Sequence, residues 1–438
     1  MSAIDTWVAQ FEMQAPGLPG ARLPWLAGLR RRAMERFADE GWPTRRHKNW
    51  NHTSLAFMEQ QSFAASASAA DPAAILARVK AEDDGTGHWL AFVGGHFSAE
   101  LSTLGALPAG ARIGSLADAL AAGDDGIEAA FGSAEDGDSP AAMNAAFAAD
   151  GGYVRLARGV VVAEPIHLVF IAGPGDTSRH LRNLVIADAG AQATVVEHYP
   201  DSGEAATLTT AVTRIEAGAD ARITHLKLQQ EAEAAIHLAT IDALQARGSM
   251  FASHSLSFGA RLARNDIRTR FDGEGCETLF NGLYHVDGRR HVDHQTRIDH
   301  AQPRGVSREF YRGLVDGTAR GVFAGRIVVA QDAQRSDAMQ RCDNLLLSKQ
   351  AEADARPELE IYADDVKCAH GATVGQIDDD SLFYLRSRGL DQTHARQLLT
   401  YAFAAEALAR IDLPPLRKRA RAALLARLPG GKVLEELL

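Results

Sequence analysis

The runs Ala189-Gly190-Ala191-Gln192-Ala193-Thr194-Val195, Ala217-Gly218-Ala219-Asp220-Ala221-Arg222-Ile223 and Ala246-Arg247-Gly248-Ser249-Met250-Phe251 carry one pattern three times. Each puts a glycine in a small-residue turn and then alternates small or polar residues with Val, Ile or Phe. Gly275, followed by Cys276-Glu277-Thr278-Leu279-Phe280, adds a fourth run. The glycines at 190, 218, 248 and 275 stand 27–30 residues apart, a spacing typical of solenoid repeats. Stacked coils need such turns at equivalent places, because glycine enters the left-handed region freely and adds no Cβ to the stack. Small residues alternating with Val, Ile and Phe suit a narrow interior in which like positions lie over one another. The competing architecture is a β-sandwich, whose turns come every ~8–12 residues without the longer period. Over residues 152–380 the pattern predicts a parallel β-solenoid of about eight coils, on the order of 40 Å long at ~4.8 Å per coil.

On either side the period becomes helical. Trp25, Leu26, Leu29, Ala33 and Phe37 recur at three- and four-residue spacing and share one helical face, until Gly41-Trp42-Pro43 stops the run. The Ala/Ser-rich stretch over 61–70 reads as a linker. Trp89-Leu90-Ala91-Phe92-Val93 is a candidate first strand, and 117–122 a short helix. Beyond Arg388-Gly389, the residues Ala395, Leu398, Leu399, Ala402, Phe403 and Ala407 form an apolar helical stripe with Asp391 as its cap. Leu413-Pro414-Pro415 ends that stripe. A last helix over 416–428 carries Arg417, Lys418, Arg419, Arg421 and Arg427, either a docking surface for an acidic partner or a solvated face. The expected organisation is an N-terminal helical domain over 1–90, a β core over 91–388 with a mixed signal to 150, and a C-terminal helical domain over 389–438.

Bulk properties narrow the function classes. A chain of 438 residues exceeds one ordinary compact core, so two or three structural units are expected. The net charge of −10 argues against nucleic acid as the main partner, because phosphate binding needs a clustered positive field. No stretch approaches the ~20 consecutive apolar residues of a membrane span, and the first ten residues have neither the basic start nor the apolar centre of a signal peptide. A cytoplasmic location is expected.

The segment Pro357-Glu-Leu-Glu-Ile-Tyr-Ala-Asp-Asp-Val-Lys-Cys-Ala-His-Gly371 alternates strongly. Read as one strand, it puts Leu359, Ile361 and Ala363 on one face and Glu358, Glu360, Tyr362, Asp364, Cys368 and His370 on the other. A thiol and an imidazole side by side bind a soft or borderline metal, or hold sulfide-bridged iron with help from another chain. The alternative is a half-buried cysteine beside a surface histidine. Cys276 and Cys342 lie singly among apolar neighbours and read as small core hydrophobes. With three scattered cysteines and no CxxC pair, a thiol-bound metal must draw ligands from distant segments or from a second chain. A second candidate cluster comprises Tyr284-His285, His291-Val292-Asp293-His294 and Asp299-His300. His291, Asp293 and His294 are its alternative metal ligands, although solvated strand positions explain the same pattern.

The chain contains no GxxxxGK[ST] phosphate loop, no nucleophile elbow and no GxGxxG with a following acidic residue. Two other functions stay open on these residues. One is a carbohydrate-active solenoid enzyme using paired carboxylates such as Asp364/Asp365 or Asp293/Asp299. The other is a self-sufficient metal-binding protein built on His285, His291, Asp293 and His294.

The C-terminal third resembles the SufB/SufD family of SUF-system iron–sulfur cluster assembly proteins. The similarity runs from Arg341-Cys-Asp-Asn-Leu-Leu-Leu-Ser348 through Pro357-Glu-Leu-Glu-Ile361 and Asp364-Asp-Val-Lys-Cys-Ala-His-Gly-Ala-Thr-Val-Gly375 to Phe383-Tyr-Leu-Arg-Ser-Arg-Gly389. Trp50-Asn51-His52-Thr53 is similar to the family's N-terminal W-x-x-T. One branch usually reads H-E-A-T-x-S where this chain has Cys368-Ala-His-Gly-Ala-Thr373, a form similar to the D branch. The resemblance implies a right-handed parallel β-helix between helical domains. It also implies pairing with a SufB-type paralogue through the β-helix and docking of a SufC-type ATPase by the C-terminal helices. Cys368 and His370 would lie at the paralogue interface, where a transient iron–sulfur cluster assembles, with His370 the stronger ligand candidate. No tightly bound cofactor is expected in the isolated chain, and whether that chain forms a homodimer stays open.

Overall fold

A computed structural model describes residues 3–65, 71–82, 85–428, 431 and 434. Its centre is a β-solenoid of about eight turns. There are two ten-stranded sheets; from Gly152–Leu156 onward successive strands alternate between them, and each strand away from the ends pairs in parallel with the strand two places before and after it. The first sheet runs from Gly152–Leu156 through Thr177–Ala187, Leu208–Ala217, Ile236–Gln245, Leu262–Phe271, His291–His300 and Arg320–Val329 to Glu352–Ile361. The second runs from Ile166–Ile171 through Gln192–Tyr199, Arg222–Gln229, Met250–Ser257, Glu277–Val286, Val306–Val315 and Asp337–Leu346 to Lys367–Gly375. Parallel pairing along both sheets excludes the β-sandwich, since hairpin-linked sandwich strands pair antiparallel. Between the sheets lies a continuous apolar core including Phe251, Phe271, Phe280, Ile298, Phe323 and Ile327, all fully buried. Cys276 and Cys342 belong to that core, as their apolar surroundings in the sequence implied.

The corners obey a stricter register than the sequence repeat conveys. Gln192, Arg222, Met250, Glu277, Val306 and Asp337 are in-register neighbours along the second sheet. Two positions before each stand Gly190, Asp220, Gly248, Gly275, Arg304 and Arg335, with φ of 73°, 58°, 68°, 71°, 61° and 62°. The partner of Gly190 is therefore Asp220, and Gly218 is two places out of the column to which its spacing assigned it. Gly218 serves close packing instead, because a Cβ there would stand 2.8 Å from the Ala187 carbonyl oxygen. Arg304 and Arg335 are L-residues in a left-handed conformation. Their N–H groups donate to the next coil, to Gln334 O at 2.9 Å and Asp365 O at 2.6 Å.

Helices cover the outer faces of both sheets. Pro24–Glu40 buries Leu26, Leu29, Ala33 and Phe37 of the expected stripe, with Trp25 half-buried, and packs with Leu116–Ala122 and Ser139–Phe147 over Leu184, Ile186, Leu208, Ile236 and Leu238 of the first sheet. Of the stretch expected as a linker, Ala64–Ala65 pairs with Thr177 and Ser178, while 66–70 lie outside the described residues. The C-terminal helices Gln392–Leu408 and Pro414–Leu425 cover Leu226, Leu228, Leu256, Leu283, Phe310 and Leu314 of the second sheet. Asp391 caps the first of these by accepting from Thr393 N and His394 N. Its buried face is Ala395, Gln397, Thr400, Ala404, Ala407 and Leu408; of the expected stripe, Leu398, Leu399 and Phe403 are half-buried and Ala402 faces solvent. The cations of the last helix are largely engaged within the chain. Arg417 donates to Ile411 O, buried Arg419 to Val79 O, and Arg421 lies over the Tyr401 ring. Lys418 remains exposed.

The solenoid is closed at one end. His88–Val93 pairs antiparallel with His96–Thr103, and Ala111–Ser115 pairs antiparallel with Gly152–Leu156. The buried Asp150 carboxylate ties this cap together. One oxygen accepts from Ser115 Oγ, Ala117 N and Gly151 N at 2.8, 3.0 and 2.8 Å, and the other from Phe97 N at 3.0 Å.

Candidate functional site at the open coil

At the opposite end, Glu352–Ile361 and Lys367–Gly375 are the last strands of the two sheets, and each pairs on one side only among the described residues. Between them the chain crosses from one sheet to the other over 362–366, so the expected single strand is in fact two. The crossing changes the geometry of the pair. Cys368 is the register partner of buried Ala338, and His370 of buried Gln340, which places both on the inward face. Cys368 packs against the same core as Leu359 instead of pointing away from it. The shared face of Cys368 and His370 was read correctly from their two-residue spacing; its direction was not. Cys368 is half-buried and His370 exposed, because no further coil lies over them. Burial pushes the Cys368 thiol up, and nearby Asp337 adds to this against an opposing hydrogen bond from Ala338 N–H. A thiol so placed stays protonated near neutral pH until a metal or cation displaces its proton.

The histidine-rich segment is arranged for another purpose. His291 and Asp293 face outward from the first sheet and receive the N-terminal region. Thr53 Oγ1 donates to Asp293 and stands 2.8 Å from His291 Nε2. Arg264 reaches Asp293 at 2.6 Å, and the Trp50 ring lies 3.7 Å from the Arg264 guanidinium carbon. The Trp50 indole in turn donates to Asp138 at 2.8 Å. Burial would raise the Asp293 carboxyl, yet Arg264 and His291 outweigh it and hold the carboxyl below its ordinary range. His294 points the other way, into the solenoid between Tyr284 and Tyr311, where burial lowers it to about 3. His285 is likewise buried, at about 4. The three alternative ligands His291, Asp293 and His294 are thus not brought together. Among the described residues no group of three or more His, Cys, Asp or Glu side chains is arranged to hold a metal. The paired carboxylates are also committed or dispersed. Asp299 bonds Arg297 at 2.9 Å, Asp365 stands 3.6 Å from Arg335, and Asp364 is exposed on the crossing.

Residues 1–168 match the SufBD protein N-terminal region, and residues 170–403 match the SufBD core domain of SUF-system iron–sulfur cluster assembly. The chain belongs to the SufBD family. It is 34% identical to the iron–sulfur cluster assembly protein SufD of Escherichia coli over 91% of this chain and 92% of that protein. A SufBD family protein of Synechocystis is 31% identical over 88% of this chain and 87% of its own length. Similarity to SufD of Bacillus subtilis is weaker, 24% over 64% of each.

Within this SufBD chain, the W-x-x-T motif is the clamp just described, joining the N-terminal helices to the solenoid through Trp50 and Thr53. Its role was hidden because Thr53 and Asp293 lie 240 residues apart. Sequence reading also missed the two side chains beneath His370. Gln340 and Glu309 continue its column inward, and the coil period pointed to them, since counting back one and two coils from His370 reaches those positions. No helix among the described residues is long and apolar enough to cross a membrane.

Proposed function

We propose that this chain is a non-catalytic scaffold subunit for iron–sulfur cluster assembly, acting in the cytoplasm within a SufBCD-type complex. A SufB-type paralogue pairs with the open coil, and the nascent cluster is held at that seam by His370 with Cys368 in support. The C-terminal helical region docks a SufC-type ATPase, which supplies the nucleotide chemistry. The observation that carries this reading is the inward-facing Cys368 and His370 on a terminal coil with a neighbour on one side only among the described residues. Two ligands open to one side form half a site, and the remainder has to come from another chain. Thiolate and imidazole are both known ligands of protein-bound iron–sulfur clusters, and a protonated thiol releases its proton when metal binds.

The two exposed edges differ in a way that favours one docking direction. Glu352–Ile361 carries Glu352, Asp354, Arg356, Glu358 and Glu360 and contains Pro357, which has no N–H to offer. Lys367–Gly375 has neither a proline nor a second charge besides Lys367, apart from His370 itself. An edge so unguarded is receptive to another strand. In the absence of the paralogue, a second copy of this chain would meet the same edge. For the ATPase, Phe383 and Tyr384 on Asp379–Ser387, the first helix after that strand, are 72% and 56% exposed and offer apolar anchors.

Co-purification with the paralogue and the ATPase tests the reading. His370→Ala is expected to leave the complex intact and to impair cluster assembly, followed by cluster absorption and by iron and sulfide content. Assembly at the parental level would remove His370 from the site. Phe383→Ala combined with Tyr384→Ala is expected to weaken ATPase capture, and undiminished capture would place the docking surface elsewhere.

A further inference from the structure

Phe280, Glu309, Gln340 and His370 occupy equivalent positions on four successive strands of the second sheet, all facing inward. The fully buried Phe280 ring closes the column from below, and solvent reaches only its top at His370. Gln340 Nε2 donates to Glu309 Oε2 at 2.5 Å. The amide is therefore turned with its nitrogen inward, leaving Gln340 Oε1 buried and without a hydrogen-bond partner among the described residues. Buried acceptors are seldom left so, and the next polar side chain along the column is the His370 imidazole.

The opposite sheet is shaped to admit this amide. A Cβ at Gly325 would stand 2.1 Å from Gln340 Nε2 and 2.8 Å from Thr296 Oγ1. Gly325 is not among the positive-φ glycines, so its backbone conformation does not call for glycine; the space for Gln340 does. Thr296 stands beside Glu309 and favours its charged form, against burial that pushes the carboxyl up to about 7. With a proton on the otherwise unpartnered Oε1, Glu309 still accepts from Gln340 through Oε2, so this amide orientation is compatible with either state.

We propose that Gln340, oriented by Glu309, positions the His370 ring by accepting a hydrogen bond from one ring N–H through Oε1, so that the other ring nitrogen presents its lone pair outward to iron. This rests on the reading of His370 as a cluster ligand. A metal-binding imidazole is commonly fixed in one tautomer by an acceptor behind it, and loss of that acceptor weakens metal binding by about 10- to 100-fold. Gln340 and Glu309 are positioning residues here; neither touches the cluster.

The test uses the full chain labelled with ¹⁵N-histidine, with the His370→Ala spectrum identifying the His370 ring among 16 histidines. In the parent, His370 is expected to hold a single ring tautomer with one protected ring N–H. Gln340→Leu, its fold checked by melting temperature because Glu309 loses its amide donor, is expected to give an exchanging tautomer mixture and, in the complex, about tenfold less cluster loading. The exchanged pair Glu309→Gln with Gln340→Glu restores an acceptor beneath His370 and is expected to recover both readouts. A parental His370 that already averages between tautomers, or a Gln340→Leu spectrum unchanged from it, overturns the inference. Failure of the underlying reading is seen separately, as parental cluster assembly in His370→Ala.

Discussion

At its N-terminal end the solenoid turns its outermost strands antiparallel and secures them through Asp150, whereas at its C-terminal end Glu352–Ile361 and Lys367–Gly375 each leave an edge unpaired among the described residues. The interiors near the two ends differ as well. In the coils of the first half, buried Glu197 is ringed by His225 at 3.2 Å, Tyr199 Oη at 2.7 Å and Asn183 Nδ2 at 3.2 Å, together with Thr213. Burial opposes its charge, yet His225 and these donors hold the carboxyl down to about 2. Burial pushes Glu309, near the open end, up to about 7, with only Thr296 and the Gln340 amide favouring its charge. One end is closed by antiparallel pairing and holds its buried carboxylate charged. The other leaves its last strands open among the described residues and holds a buried carboxyl that burial drives toward its neutral form.

The largest expected effect comes from breaking the cap. Asp150→Ala leaves the N–H groups of Phe97, Ala117 and Gly151 without their acceptor, and a loss of about 3 kcal/mol is expected from the denaturant midpoint at unchanged slope. A loss below about 1 kcal/mol would mean that the antiparallel strands hold without it.

Glu309→Gln probes the other end, with an opposite sign. The folded chain retains this proton up to about 7, against an ordinary value of 4.5. Stability is therefore full below pH 4.5 and declines as the pH rises through about 7. The amide removes that decline, so the variant is expected to match the parent at pH 4.5 and exceed it at pH 8 by on the order of 2 kcal/mol. Glu197 contributes in the reverse sense, its stabilisation being present above pH 4.5 and lost as the pH falls toward about 2. Equal pH slopes for the parent and Glu309→Gln would show that Glu309 titrates normally.

The smallest effect sharpens the comparison most. His370→Ala at the exposed top of the column is expected to change stability by less than about 0.5 kcal/mol in urea unfolding, while impairing cluster assembly. A large stability loss would make His370 part of the fold instead of the site.

The sequence conveyed the solenoid because coil-to-coil stacking imprints its period on the chain, and the first strand and the helix after Asp391 were legible for equally local reasons. It misplaced Gly218 because two different demands, a left-handed corner and a close approach, select the same residue. The inward direction of Cys368 and His370 was lost at the crossing over 362–366, where no glycine or proline marks the change of sheet and Ala363 packs inward as though the strand continued. The clamp of Trp50 and Thr53 on Arg264 and Asp293, like the Glu309–Gln340 pair, joins segments that only tertiary structure brings together. Apparent metal-like spacing at 291–294 dissolved for the complementary reason, since alternation along a strand sends His294 to the side opposite His291 and Asp293.

The in-register stacking has a kinetic consequence. Each coil is coupled mainly to the coils before and after it, so the solenoid behaves as a linear array of nearest-neighbour units. A terminal unit with one neighbour opens more readily than an interior one with two, and amide exchange should quicken toward Lys367–Gly375. A strand from another chain laid along that edge supplies the missing neighbour and turns a fraying end into an interior coil. If the complex proposed above forms along this edge, its assembly and the ordering of Cys368 and His370 would be a single event.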